Sequence, residues 1–228
     1  MTFENQINSL SGLTLGASGI ASTAEGTQYL SDGLVEVINR VIEYKPEDIP
    51  KFCKVTHDDS NAGILYTGRI HSVVREHDST SILRICERVP ADYRYSADDE
   101  NSIHYRSKYN PAYYIVGGTT AHGSKIYSIP ASASGNNDII VSQVYYDTGI
   151  TFSDDDIDNF PNEYKYLVPM YAAIKVMEQR IVKLSAIEED VEISSALAQS
   201  LAILKAEYEG AFSRMMPPQP AKGGNLWQ

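Results

Sequence analysis

The side chains best placed to do chemistry are the carboxylates of Ser153-Asp154-Asp155-Asp156-Ile157-Asp158, which contain a D-x-D-x-D run. Alternating carboxylates of this kind form one half of a calcium loop. An EF-hand loop starting at Asp154 also requires glycine at its sixth position and a bidentate glutamate at its twelfth. Asn159 and Lys165 stand there instead. The run is therefore read as negative charge set before a helix, where it complements the helix dipole. Asp58-Asp59 and Asp98-Asp99-Glu100 lie among turn residues and read as solvated carboxylates. Nothing in their spacing selects an acid/base pair of the sort that cleaves glycosides. The five histidines, His57, His71, His77, His104 and His122, are isolated from one another. Nucleophile-elbow, P-loop and dinucleotide-binding glycine patterns are all missing. Cys53 and Cys86 lack the C-x-x-C spacing of a zinc or redox site and are expected to be reduced, partly buried thiols. The expectation is a protein without catalysis, cofactor or metal.

The elements that carry these residues divide into helical ends and a β-rich middle. Ser22-Thr23-Ala24-Glu25 has the spacing of a capping box. Leu30, Leu34, Val37, Ile38, Val41 and Ile42 then form a one-sided stripe up to Tyr44, ended by Pro46. Residues 1–21 are rich in Ser, Gly, Thr and Leu and are read as an arm with little structure. From 54 to 150, short β-branched and aromatic runs alternate with turn residues. Strands are expected at Ile64–His71 with Ser72–Glu76, at Ser81–Arg88, Ala112–Gly117, Lys125–Ile129 and Ile139–Tyr146. Pro90–Asn110 is expected to be a long loop with a helical turn.

The longest helical pattern is Phe160–Leu184, with apolar residues at Tyr164, Leu167, Val168, Tyr171, Ile174 and Ile181 and a second set at Met170, Ala173, Met177 and Leu184. Such a face covers more than half the helix. It is wider than the stripe of an ordinary surface helix, so the helix is either central to its own core or shared with a neighbouring subunit, and the reading taken is packing on a neighbouring subunit through Tyr164, Leu167, Val168 and Tyr171. Pro169 inside it either bends the helix or marks its start. Ile193, Leu197, Leu201, Leu204 and Tyr208 make a second stripe, fit to pack antiparallel on the first and to stop near Gly210. Residues 214–228 are Pro- and Gly-rich and read as an extended tail; Leu226 and Trp227, the latter the only tryptophan, read as a docking anchor on it. The fold class is thus α+β: a helical bundle from 22–53 and 151–213, with an antiparallel β-sheet or sandwich inserted at 54–150.

A net charge of −11 argues against general nucleic-acid binding. Arg69, Arg75, Arg84, Arg88, Arg94 and Arg106, all in the middle third, read as solvated strand faces. The first residues lack the basic and apolar regions of a signal peptide, and no run of about 18 apolar residues occurs. Sixteen tyrosines favour half-wet sheet surfaces and interfaces.

Two blocks carry a family resemblance. Asn110-Pro111-Ala112-Tyr113-Tyr114-Ile115-Val116-Gly117-Gly118, followed by Lys125-Ile126-Tyr127-Ser128-Ile129-Pro130-Ala131, resembles a hairpin of tailed-phage structural proteins. Ile157-Asp158-Asn159-Phe160-Pro161-Asn162-Glu163, with Tyr166-Leu167-Val168 and Tyr171-Ala172-Ala173-Ile174-Lys175, resembles their C-terminal helix. Together, and over about residues 28–210, they are similar to head-to-tail adaptors of short-tailed phages, the tail tubular protein A group. The resemblance implies a homo-oligomeric ring of about twelve copies. It implies a place in the virion neck between the portal and a tail or nozzle protein, passage of DNA without sequence-specific contact, and assembly in the host cytoplasm without a membrane. The long N-terminal segment and the 90–110 loop depart from the pattern, which leaves open another neck or minor capsid position. A carbohydrate-binding module, with Tyr93, Tyr95, Tyr105, Tyr109, Tyr113 and Tyr114 stacking on sugars, is the rival reading.

Overall fold

The computed structural model describes all residues except 18–19, 80–81, 119–122, 148, 188–190 and 216–228. It is a mixed α+β chain of two compact units, Met1–Lys51 with Asp147–Gln228, and Phe52–Tyr146.

The first unit is helical: α1 (Phe3–Ser11), α2 (Thr23–Tyr44), α4 (Leu167–Ile187) and α5 (Val191–Ser213), with a 3-10 segment at Pro46–Phe52 after α2. At the start of α2, Glu25 N–H donates to Ser22 Oγ at 3.2 Å and Ser22 N–H to Glu25 Oε2 at 2.7 Å, which satisfies two donors that a bare helix end leaves orphaned. The expected arm is corrected. Thr2 caps α1, which buries Phe3 and Ile7 completely and packs on α4. Phe3, Ile7 and Leu10 recur at i, i+4 and i+7, a helical signal that the sequence does carry but over only nine residues. Its first N–H groups, of Phe3 and Glu4, donate to Asp154 O and Phe152 O, both at 2.7 Å.

The central helix also begins later than its pattern. Leu167 N–H donates to Tyr164 O, and Val168 N–H to Lys165 O, in tight turns that lead into α4. Pro169 is the third residue of α4, where its missing N–H has no intrahelical partner to lose. The pattern read from Phe160 merges these buried turns with the helix. α1, α2 and α5 all pack against α4. A β-carbon at Gly33 of α2 would lie 2.9 Å from Tyr171 Cδ1 and 3.1 Å from Val168 O, so glycine there permits close approach of α2 and α4. Between α2 and α5, Arg40 pairs with Glu209 at 2.8 Å, and its guanidinium lies 5.1 Å from the centre of the Phe212 ring.

The second unit holds two four-stranded sheets and α3 (Arg94–Asp98). One sheet has the order β1 (Cys53–Asp58), β8 (Ile139–Val144), β3 (Ile70–Glu76), β4 (Leu83–Ile85). The other runs β2 (Ile64–Leu65), β7 (Lys125–Ile129), β6 (Ala112–Val116), β5 (Glu87–Arg88). All pairs are antiparallel except β5 with β6, which is parallel and makes the second sheet mixed rather than antiparallel as expected. β1 escapes sequence reading because Lys54, Val55 and His57, on an edge strand, give no clean alternation of burial. Ile64, Val73, Cys86, Ile126, Ile139 and Val141 pack between the sheets. On its other face the mixed sheet packs through Ala112 and Ile129 against Ala97 of α3 and Val89.

Candidate interaction surfaces

The aspartate run is structural. Asp154 caps locally, its Oδ2 accepting Thr151 N–H at 2.7 Å while its carbonyl anchors α1. Asp156 pairs with Lys165, and with the Ile157 N–H this holds its carboxyl below the ordinary range. The run does not cap α4, which begins well beyond Asp158. Its Asp156 and Asp158 line an open cleft of about 610 Å³ with Lys51 and Glu163. Among the described residues, no group of three or more His, Cys, Asp or Glu stands close enough to hold a metal ion. Cys86 is buried, and burial pushes its thiol up to about 12, so it does not act as a nucleophile near neutral pH.

The four residues expected to pack against another subunit are placed otherwise. Leu167 and Val168 are fully buried and Tyr164 nearly so, while Tyr171 is half-buried beneath α2 and beside Tyr208. The wide apolar face of α4 is explained by its central place, with three helices of its own chain around it. Tyr164 is held deep: its hydroxyl donates to Asp48 Oδ2 at 2.5 Å, and Asp48 also takes Lys51 at 2.9 Å. Those two donors hold the Asp48 carboxyl below its ordinary value; burial and the Asp48 bond push the Tyr164 hydroxyl well up. Leu226 and Trp227 lie outside the described residues.

Exposed apolar surface lies elsewhere. The registers place His57, Ile140, Val74 and Ile85 in one cross-strand row on the face of the β1-β8-β3-β4 sheet turned away from the inter-sheet core. Val55 and Leu83 share that face by alternation. Ile85 is 83% exposed, Val55 55% and Leu83 50%. On α5, Ile203 is 64% and Ile193 50% exposed, on a helix that carries no charged residue between 193 and 204. Sequence reading missed both surfaces. The signal available was the run Ile139-Ile140-Val141, apolar on both faces of its strand.

The 90–110 loop gathers a third surface. Tyr93, Tyr95 and Tyr109 are exposed and Ile103 is 96% exposed. Asn61, Arg94, Tyr95, Asp98, Tyr114 and Ser128 line a cavity of about 240 Å³ beside it. Tyr113 packs instead against the inter-sheet core, and His77 lies on Tyr109 at 4.8 Å. His122 lies outside the described residues. Of the six arginines of the middle third, Arg75 is not on a solvated strand face: it is 4% exposed, with its guanidinium donating to Pro130 O, Ala131 O, Glu76 O and Asn137 Oδ1 at 3.0–3.3 Å.

No family model matches the chain, and no curated protein matches its sequence. No helix among the described residues is long and apolar enough to cross a membrane.

Proposed function

We propose that the chain is a virion structural protein, a head-to-tail adaptor that forms a homo-oligomeric ring of about twelve copies between the portal and the tail and lines the DNA channel. The observation that carries this reading is the interrupted helical unit. Its two halves flank a β unit, and the two sequence blocks that resemble phage neck proteins coincide with β6–β7 and with the approach to α4. The proposed bundle is α2, α4 and α5 with α1 added. Two further features support the reading. Apolar sheet and helix surface stands uncovered in the single chain, as an assembly component requires. The helical unit carries 20 Asp and Glu against 10 Lys and Arg, a surplus of 10 negative charges that suits a channel from which phosphates must slip freely.

The test is incubation of purified protein with the portal, followed by negative-stain imaging. Rings or portal-bound collars are expected, and failure to form either removes the reading. A list of virion components by mass spectrometry should include the chain. A carbohydrate-binding module remains as a second reading because the 240 Å³ cavity joins tyrosine faces to Arg94, Asp98 and Asn61. A glycan array without signal disposes of it.

A further inference from the structure

We propose that the cavity between α3 and the β2-β7-β6-β5 sheet seats one neutral hexose ring, the end or branch unit of a glycan. The site rests on the carbohydrate-binding reading and is independent of the adaptor reading.

Its lining comes from separate stretches of the β unit. Arg94, Tyr95 and Asp98 belong to α3, Tyr114 to β6, Ser128 and Ile129 to β7, and Asn61 to the turn before β2. The frame is fixed from behind. Ala97, 1% exposed, holds α3 against Ala112 and Ile129. Tyr114 stacks on Tyr127 with ring centres 5.6 Å apart. Tyr127 lies so close to Gly63 that a β-carbon there would fall 2.5 Å from its Cζ. Asn61 holds a positive φ of 55°, and its N–H donates to the buried Ser132 Oγ at 3.0 Å. A site whose walls are set before the ligand arrives loses little ordering entropy on binding.

Within this frame several polar ends are uncommitted. Arg94 and Asp98 stand four apart on one face of α3, yet make no ion pair. The guanidinium donates instead to the Tyr95 hydroxyl at 2.5 Å and lies 4.6 Å from the centre of that ring, which leaves its other N–H groups for a ligand. The Asp98 carboxylate, the Asn61 side-chain amide and the Tyr114 hydroxyl have no hydrogen-bond partner among the described residues. Burial pushes the Tyr114 hydroxyl up, so it stays protonated and can donate near neutral pH.

The ligand class follows from this mixture. One guanidinium and one carboxylate in the same lining cancel, so neither an anion nor a cation is favoured. A zwitterion would meet both charges but brings two groups to four polar ends. Sugar hydroxyls both donate and accept, which matches a lining of one carboxylate, one amide, one phenol and one guanidinium. The tyrosine rings, with Ile129 and Ala131, offer apolar surface to the C–H face of a sugar ring. The cavity of about 240 Å³ equals the liquid volume of about eight waters at roughly 30 Å³ each, room for one such ring and not for two. A ligand of this size with few hydrogen bonds should bind with a Kd on the order of 1 mM.

The test titrates the full chain with the methyl glycosides of glucose, mannose and galactose, read by saturation-transfer NMR, with inorganic phosphate and free phenylalanine as the anionic and zwitterionic probes. Tyr95→Ala and Asp98→Ala change exposed side chains of the lining, and Tyr109→Ala removes an exposed tyrosine of the same loop outside it; circular dichroism verifies folding. At least one hexoside should bind, Asp98→Ala and Tyr95→Ala should each weaken it tenfold or more, and Tyr109→Ala should leave it unchanged. A hexoside bound equally well by all three variants overturns the cavity as the seat and leaves the carbohydrate-binding reading standing. Signal from phosphate or phenylalanine but from no hexoside overturns the ligand class. If no hexoside binds well above millimolar concentration while a glycan array gives signal, the single-ring seat falls alone. If both are silent, the seat and the carbohydrate-binding reading fall together and the adaptor reading is untouched.

Discussion

Replacing Tyr164 with phenylalanine separates two roles that the sequence leaves confounded. The side chain is 4% exposed and its hydroxyl donates to Asp48, itself 8% exposed, at 2.5 Å. Phenylalanine keeps the ring, so the change removes the hydroxyl's hydrogen bond to a charged acceptor. Such a bond contributes about 1.5–3 kcal/mol, and Lys51 at 2.9 Å continues to serve the carboxylate. The expected loss is therefore about 2 kcal/mol at pH 7, a fall in Tm of roughly 4–8 °C for a chain of this size. Its pH dependence follows from linkage. The Asp48 carboxyl is lowered on folding, by Tyr164 first and then Lys51. It contributes stability above its unfolded value of about 3.9, and the contribution disappears as pH falls through the folded value. The Tyr164 hydroxyl is raised, by burial and then by Asp48. Its contribution is complete below about pH 10 and is lost as pH rises through the folded value. The difference between wild type and Tyr164→Phe in urea titrations should thus be flat from about pH 5 to 9 and shrink below about pH 4. A variant as stable as wild type at pH 7 but defective in ring assembly would refute this reasoning and put Tyr164 back at a subunit contact.

Other outcomes follow from the same geometry. Arg75→Met should cost on the order of 3 kcal/mol, because it removes at once the donors to the buried Glu76 carbonyl and to the part-buried Pro130 and Ala131 carbonyls; Arg75→Lys should not restore the loss, and thermal melts measure both. Gly33→Leu should destabilise the chain by about 1–3 kcal/mol in urea titration, despite the better helix propensity of leucine, since its β-carbon meets Tyr171 and the Val168 carbonyl. Asp58→Asn should destabilise at neutral pH and do so less in acid. Burial raises that carboxyl, but the N–H groups of Ser60, Gly63 and Ala62 outweigh burial and hold it low, so its contribution is present above its unfolded value and lost as pH falls. Cys86 should resist iodoacetamide at pH 7.5 in the native protein and react once urea exposes it, as mass spectrometry of alkylated peptides would record.

Local chemistry was legible wherever a residue acts within a few positions of itself. The Ser22/Glu25 capping box, the stripe of α2, the hairpin strands β6 and β7 and the α5 stripe are written in neighbouring residues, and the helix ends and strand spans follow. The mixed α+β class follows from them as well. What only tertiary structure decided is which apolar surface is covered. A 3.6-residue period measures how much of a helix is apolar, and it is silent on whether the cover comes from the same chain or another. Leu167 and Val168 vanish beneath helices far away in sequence, among them α1, whose apolar residues Phe3, Ile7 and Leu10 recur at helical spacing over only nine residues. Conversely, Ile85, Val74, Ile140 and His57 come from four separate strands, and antiparallel register alone sets them in a row. Burial is a property of pairs of distant segments, so sequence periodicity established which faces exist and the fold determined which of them remain open.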